Sequence, residues 1–441
     1  MPSRLFFTGN GERAWHCAMP FAVFVLLASV LALLFAVPVR ASGELHSELF
    51  LNQLLNEALK NNHEIIAAEA RLAAAGYKIP QATSLPDPMF MFGYQNEGWK
   101  RYTYGEMQGA QWMFSASQMF PYPGKLPLKG QMASKESEGL EAAYQGLKRK
   151  TVERVKEIYF DLFLYYKNID LIQDRKLLFS RIEDAALARY SSGMGLQQEV
   201  LMAQTEKYML LEKEEMFRQK IQSSEAMLNL ALGRDVTVVM GRPADQEGTD
   251  MHEPMEDLLN IHVNRAPFVQ EKEKMVAAAA LKIRMAEKEY YPDFTINAGY
   301  FKRAREFEDM WSLTTTINLP IFYRTKQRQA VLEAKALLAE AEHEVLAMRS
   351  MLSSTIRDNY SMMKSAERLM ALYKDGLIPK TRQDFDAALA GYTSGKTEAI
   401  TIISRLKALI DVESLYWGQF VEREKAIARL ATVTGAKGMI P

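Results

Sequence analysis

The side chains that could do chemistry are sparse in this sequence and poorly spaced for it. Six histidines stand at 16, 46, 63, 252, 262 and 343, and no two are four apart, the spacing that sets a metal-binding pair on one helix face. The single cysteine is Cys17. There is no Gly-x-Ser-x-Gly, no His-Glu-x-x-His and no phosphate-binding glycine loop, so no contiguous motif supplies a nucleophile elbow, a hydrolytic metal or a nucleotide cradle. The chain therefore reads as a non-enzyme with no catalytic residue, no metal ligand set and no cofactor. His63 and His262 read as residues of solvated helix faces. Methionine is the exception: there are 25, with Met89, Met91, Met107, Met113 and Met119 close together. Thioethers are soft ligands suited to Cu(I). Met89, Met91, Met113 and Met119 are thus candidate lumen thioethers, against the plainer role of filling irregular packing.

Any such residues must be positioned by a duplicated scaffold. Leu85-Pro86-Asp87 answers Tyr291-Pro292-Asp293, Phe120-Pro121 answers Leu319-Pro320, Tyr190-Ser191-Ser192-Gly193 answers Tyr392-Thr393-Ser394-Gly395, and Leu232-Gly233 answers Thr434-Gly435, all at offsets of 199 to 206 residues. The order and near-constant offset indicate a first repeat over 42–233 and a second over 255–436, with a linker at 234–254 and a tail at 437–441. Each repeat reads as helix, two strands, long helix, turn, helix. The expected helices are 49–82, 128–190 and 197–232, then 255–290, 326–390 and 396–434, with a kink near Gly376 and Pro379. Helices of this length favour a coiled coil or helical tube over a compact enzyme domain.

Between the helices the apolar period changes from 3.6 to 2, marking strands at 89–95, 112–120, 294–300 and 312–319. One face carries Phe90, Phe92, Tyr94, Trp112, Phe114, Ala116, Phe294, Ile296, Ala298, Tyr300, Leu313, Thr315 and Ile317. The other carries Gly93, Gln95, Ser115, Ser117, Thr295, Asn297, Thr314, Thr316 and Asn318. This is the apolar-out, polar-in ladder of a membrane barrel, although a sandwich sheet with one face on a core alternates in the same way. Edges separate the two. Four short strands leave two edges that lipid cannot satisfy, and the smallest membrane barrels have about eight strands. Closure then needs several copies, and three copies, with twelve strands, suit a conduit better than eight, which their own side chains nearly fill.

The composition agrees. Apolar residues make up 48% of 441, and 54 Lys and Arg balance 54 Asp and Glu, which excludes disorder and leaves no basic footprint for a nucleic-acid partner. Arg4 and Arg13 precede an apolar run from Phe21 to Val37, and Val39-Arg40-Ala41 offers small residues at −3 and −1. Residues 1–41 therefore read as an export signal peptide cut after Ala41, with a retained anchor as the alternative.

Taken together, these features resemble the TolC-type outer-membrane efflux family across about residues 45–436. The resemblance rests on the duplicated helix, strand pair and hairpin plan, the Leu85-to-Pro88 and Tyr291-to-Asp293 lead-ins, the exit from Gln118 to Lys125, and the Tyr-x-Ser-Gly tips. It implies a mainly α fold with a β-barrel portion: a homotrimer with a 12-stranded barrel in outer-membrane lipid and a helical periplasmic tunnel, docked to a periplasmic adaptor protein and an inner-membrane pump. The Pro86-to-Met89 and Phe120-to-Leu126 stretches look like the heavy-metal branch. Family members gate the tunnel at the hairpin tips, which points here to Tyr190, Gly193, Tyr392, Gly395 and Lys396. The arginine and two aspartates that line the pore in well-known members align with Thr397, Thr401 and Ser404, a departure that makes this gate less acidic. Glu199 stands where a corresponding first-repeat acid could lie, its plainer reading being a solvated surface carboxylate. The rival to a passive duct is a periplasmic helical adaptor that conducts nothing.

Overall fold

The computed structural model describes residues 48–435; the segments read from the sequence as an export signal and a tail lie outside these. In the first repeat α1 spans Leu51–Asn61, α2 His63–Thr83, β1 Met89–Gln95, β2 Gln111–Phe120, α3 Lys125–Ser191 and α4 Gln197–Leu232. The second opens with three short helical pieces, Met255–Asp257, the π turn Leu258–His262 and Val263–Arg265. It continues with α5 Pro267–Lys288, β3 Asp293–Lys302, β4 Met310–Asn318 and α6 Gln327–Ala371, then a π turn at Leu372–Leu377, α7 Ile378–Thr393 and α8 Ala399–Thr434. The protein is thus mainly helical with a four-stranded antiparallel sheet, ordered β1-β2-β3-β4. At 67 residues, α3 is a rod of about 100 Å.

Several boundaries differ from expectation, each for a local reason. The opening helix of the first repeat breaks at Asn62, whose extended backbone ends α1 and starts α2. The Asn62 carboxamide oxygen accepts from the N–H groups of Glu64 and Ile65, and its amide donates to the Ala231 carbonyl at 2.8 Å. In the second repeat the break falls at Pro267, which starts α5 without an N–H to offer. The kink near Gly376 and Pro379 is a full π turn, one of the recognised causes of a sharp bend. In the strands, β2 begins one residue earlier than read and β3 runs two residues past Tyr300. Strand β4 starts at Met310 and stops before Leu319, which precedes Pro320.

Three apolar clusters hold the helices together. One packs Leu54, Leu55 and Ala58 of α1 against Tyr159, Leu162, Leu228 and Leu232. Another joins Ile172 and Phe179 to Phe385, Ile402 and Leu406 near the tips, and the third packs Leu258 and Val269 around Ile356, Met363 and Ile427. The 234–254 segment is a strap rather than a loose linker. Leu49 bonds to Arg242 and Ala244 through the backbone, and the buried Tyr159 hydroxyl donates toward the carbonyls of Leu49 and Ala244; burial pushes that phenol up to about 12. His262 is not on a solvated face: its Nδ1 lies 2.9 Å from the Thr434 carbonyl, tying the start of the second repeat to the end of α8.

Removing Asn62 tests this joint. Asn62→Ala deletes a helix cap, at about 1 kcal/mol, and leaves the Ala231 carbonyl without a side-chain donor, at about 1–3 kcal/mol. The expected result is a lowered thermal midpoint with unchanged helix content. An unaltered midpoint would show that the joint rests on packing alone.

Candidate functional site

The strand register settles which residues share a face. Phe92 stands opposite Phe114, which stands opposite Tyr300, which stands opposite Trp311; the next row is Phe90, Ala116, Ala298 and Leu313. Directly opposed residues in an antiparallel pair lie on the same face, so these rows form one continuous apolar surface across all four strands; Phe301, in the part of β3 beyond Tyr300, falls on the other face with Met113 and Met310. Ring stacking runs along it from Phe92 to Trp112 at 5.3 Å and from Phe120 to Phe294 at 5.5 Å. Phe90 and Trp311 are about four-fifths exposed; nothing among the described residues covers this face.

The opposite face is short and polar. Met89 pairs with Ser117, Met91 with Ser115 and Met119 with Thr295, whereas Met113 stands between Gly93 and Phe301; all four thioethers lie on the face opposite the Phe92-to-Trp311 row. No group of three or more His, Cys, Asp or Glu side chains able to hold a metal exists among the described residues, and none of the described helices is long and apolar enough to cross a membrane. The outer strands β1 and β4 each have an unpaired edge.

At the far end of the helices the two tips are copies of one motif. Gly193 and Gly395 adopt φ of 72° and 74°, a left-handed conformation that glycine alone adopts without steric cost. The N–H that follows each reaches back to close the helix, Met194 to the Arg189 carbonyl at 2.9 Å and Lys396 to that of Gly391 at 2.8 Å. The copies differ in their side chains. Tyr190 is exposed, whereas Tyr392 is only 3% exposed. The Arg189 guanidinium lies over the Tyr392 ring at 5.0 Å and donates to the Tyr392 carbonyl at 3.3 Å. Glu199 is half-buried and accepts from the Ala399 N–H at 3.4 Å, so it caps the first turn of α8 across the two hairpins instead of standing in solvent. Burial first, and the nearby Glu199 carboxylate second, raise the Tyr392 phenol above its usual range, with Arg189 opposing; it stays a neutral phenol.

The other expected tip residues divide. Thr397 turns inward, its hydroxyl donating to the Ala388 carbonyl at 3.2 Å. Thr401 is half-buried, Lys396 and Ser404 are exposed, and the Ser404 hydroxyl donates to the Thr401 carbonyl. Above the tips, Glu413 of α8 is gripped by Arg175 of α3 at 2.7 Å and by Arg382 of α7 at 3.2 Å, and Lys407 of α8 meets Glu206 of α4 at 2.8 Å. Arg189, Arg175 and Glu413 escaped the sequence reading. The signal for Arg189 was its place beside Tyr190, but its partner is 203 residues away.

The model of the outer membrane efflux protein family matches residues 54–234 and 258–414. The chain belongs to that family. Among curated relatives, the efflux protein is 20% identical over 400 residues to the cobalt-zinc-cadmium resistance protein CzcC of Cupriavidus metallidurans, covering 88% of this chain and 90% of that one. Among solved structures it superposes on CusC with a TM-score of 0.75 at 14% identity (88% of this chain, 92% of that one). On the outer membrane protein VceC of Vibrio cholerae the TM-score is 0.73 at 16% identity, covering 88% and 96%. The mainly helical, TolC-like architecture expected from the sequence is therefore the observed one, and the efflux protein is a transport protein of the outer membrane.

Proposed function

We propose that three copies close into a passive duct whose twelve strands pierce the outer membrane and whose helices form a periplasmic tunnel, receiving cargo from an adaptor and an inner-membrane pump. The carrying observation is the register: the rows from Phe92 to Trp311 and from Phe90 to Leu313 fall on one uncovered face, the rows through Ser115, Ser117 and Thr314 on the other, and both edges are open. Lipid cannot hydrogen-bond a bare strand edge, and four antiparallel strands per copy join head to tail without breaking the alternation. The helices support the same assembly. Leu201 and Tyr208, and Met209 and Met216, recur at seven-residue steps on α4 and are exposed in one copy, as expected of a seam awaiting a neighbour.

In this reading the tips are the gate. Arg189, Tyr392, Glu199 and Ala399 clasp the α7–α8 hairpin to the α3–α4 hairpin, and the π turn at Leu372–Leu377 is the hinge about which α7 moves. Buried Glu199 Oε2 and the Tyr392 hydroxyl lack hydrogen-bond partners in the closed clasp, so an adaptor hairpin that supplies them would favour release. The lumen face with its four thioethers, together with the likeness to the cobalt-zinc-cadmium resistance protein of Cupriavidus metallidurans, favours heavy-metal cations as cargo.

Reconstitution tests the duct. Purified protein in planar bilayers should give steps of conductance, run as a trimer on gels when unheated and as a monomer after heating. Recovery as a soluble single copy without detergent would defeat the proposal. In cells, loss of the gene should raise accumulated cobalt, zinc or cadmium about several-fold while leaving organic-toxicant tolerance unchanged; the reverse pattern would reject the metal cargo.

A further inference from the structure

Within one chain the two repeats meet at a seam just below the sheet, and its chemistry is well defined. Lys125, whose side chain is 3% exposed, holds the Asp293 carboxylate at 2.9 Å and reaches Glu289 at 3.3 Å. Asp293 also accepts from the Tyr122 N–H at 2.7 Å. Tyr122 stacks on Tyr291 at 4.5 Å, closing the seam from the side. The exit of β2 is thus bolted to the lead-in of β3 by a buried ion pair under stacked rings.

Duplication carries this arrangement to a second place. The exit offset of 199 sends Tyr122 to Ile321 and Lys125 to Arg324; the lead-in offset of 206 sends Tyr291 to Leu85 and Asp293 to Asp87. These residues sit at opposite margins of the sheet, below β4 and below β1, so they cannot meet in one chain. Their state fits that position. Leu85 is 48% exposed and Ile321 73%. Asp87 is exposed and has no ion-pair partner among the described residues, and the Arg324 guanidinium meets only the ring of its neighbour Tyr323. Lys326 lines the cleft that already holds Lys125, Glu289 and Asp293, and the offset of 199 assigns the place of Lys125 to Arg324 rather than to Lys326 or Arg328.

We propose that Asp87 of one copy forms an ion pair with Arg324 of the next, with Leu85 packed on Ile321 beneath it, so that each seam between copies repeats the seam within a copy. A strand register follows. The pairing of Phe120 with Phe294 becomes Leu319 opposite Pro88, which sets Ile317 against Phe90, Thr315 against Phe92 and Thr316 against Met91. This register joins the aromatic face of β1 to the apolar face of β4, although neither face entered its derivation. A slip of one residue would set Phe90 against the polar face.

The inference rests on the closed-ring reading, and the test separates the two. In the full chain assembled in outer membranes, Met91→Cys with Thr316→Cys should give covalent dimers and trimers on oxidation, because directly opposed residues have Cα atoms about 4.5–5.5 Å apart, within disulfide range. Met91→Cys with Ser312→Cys, offset along the strand, should stay unlinked. Asp87→Arg should cut the heat-resistant trimer about tenfold, Asp87→Asn less, and Asp87→Arg with Arg324→Asp should restore it. A native trimer that neither cross-links at 91 and 316 nor recovers in the charge swap would overturn the seam and leave the ring standing. A monomer in native mass spectrometry would overturn both.

Discussion

Leu313→Arg is expected to abolish recovery of the protein from the outer membrane, while Thr314→Arg, one residue along β4, is expected to insert normally. Leu313 closes the row Phe90, Ala116, Ala298 and Leu313 near the middle of the sheet and is 66% exposed. If that face meets lipid, an arginine near the bilayer midplane costs about 2–4 kcal/mol, incurred three times in a trimer. Thr314 lies on the opposite face, where an arginine stays hydrated and instead shifts conductance toward anions. The measurement is membrane fractionation with a gel-shift assay, followed by ion selectivity of Thr314→Arg in bilayers. Normal insertion of Leu313→Arg, or failure of both variants, would show that the aromatic face is a protein interior.

The second large effect is expected at the tips. Arg189→Ala with Glu199→Gln removes the guanidinium from the Tyr392 ring and carbonyl and the charge from the Ala399 cap. Hydrogen bonds to charged groups contribute about 1.5–3 kcal/mol each, and about 1.4 kcal/mol is a tenfold change in an equilibrium. Open probability in bilayers should therefore rise about tenfold or more. Arg189→Lys should fall between, since an ammonium keeps the charge but not the planar stack. The α8 hairpin would remain anchored by Glu413 to Arg175 and Arg382, so the variant should assemble. Unchanged conductance from an assembled trimer would remove the clasp from the gating account.

A smaller, pH-dependent tie joins the repeats along α3. Glu138 is pulled down to about 2 by hydrogen bonds from Lys135 and Lys274. A depressed carboxyl contributes stability above its unfolded value and loses it as pH falls toward the folded one. This tie should therefore hold from pH 7 to 5 and weaken between about 4.5 and 2, visible as a falling thermal midpoint that Glu138→Gln flattens. Glu138 is partly exposed, so solvent screening keeps the effect small.

Much of this architecture was legible because its signals are local. Alternation in Met89 to Gln95 and Trp112 to Phe120 separates the aromatic face from the polar one within a single strand, and the recurrence of Tyr-x-Ser-Gly places both tips without any contact being known. The π turn was legible as a kink but not as a π turn, since Gly376 and Pro379 say where a helix weakens and not how many residues its ladder skips. His262 was misplaced because its partner, the Thr434 carbonyl, comes from another helix. The strap at 234–254 looked like a linker because its order depends on Leu49 and Tyr159, both far away in the chain.

The sequence by itself determined the duplicated plan and the strand faces, because periodicity and composition express how each short segment meets apolar or aqueous surroundings. Tertiary structure alone decided that Lys125 grips Asp293, that Arg189 covers Tyr392 and that Glu199 caps α8. Such pairings depend on which helices become neighbours and how each is rotated about its axis, quantities set by the packing of all the elements at once.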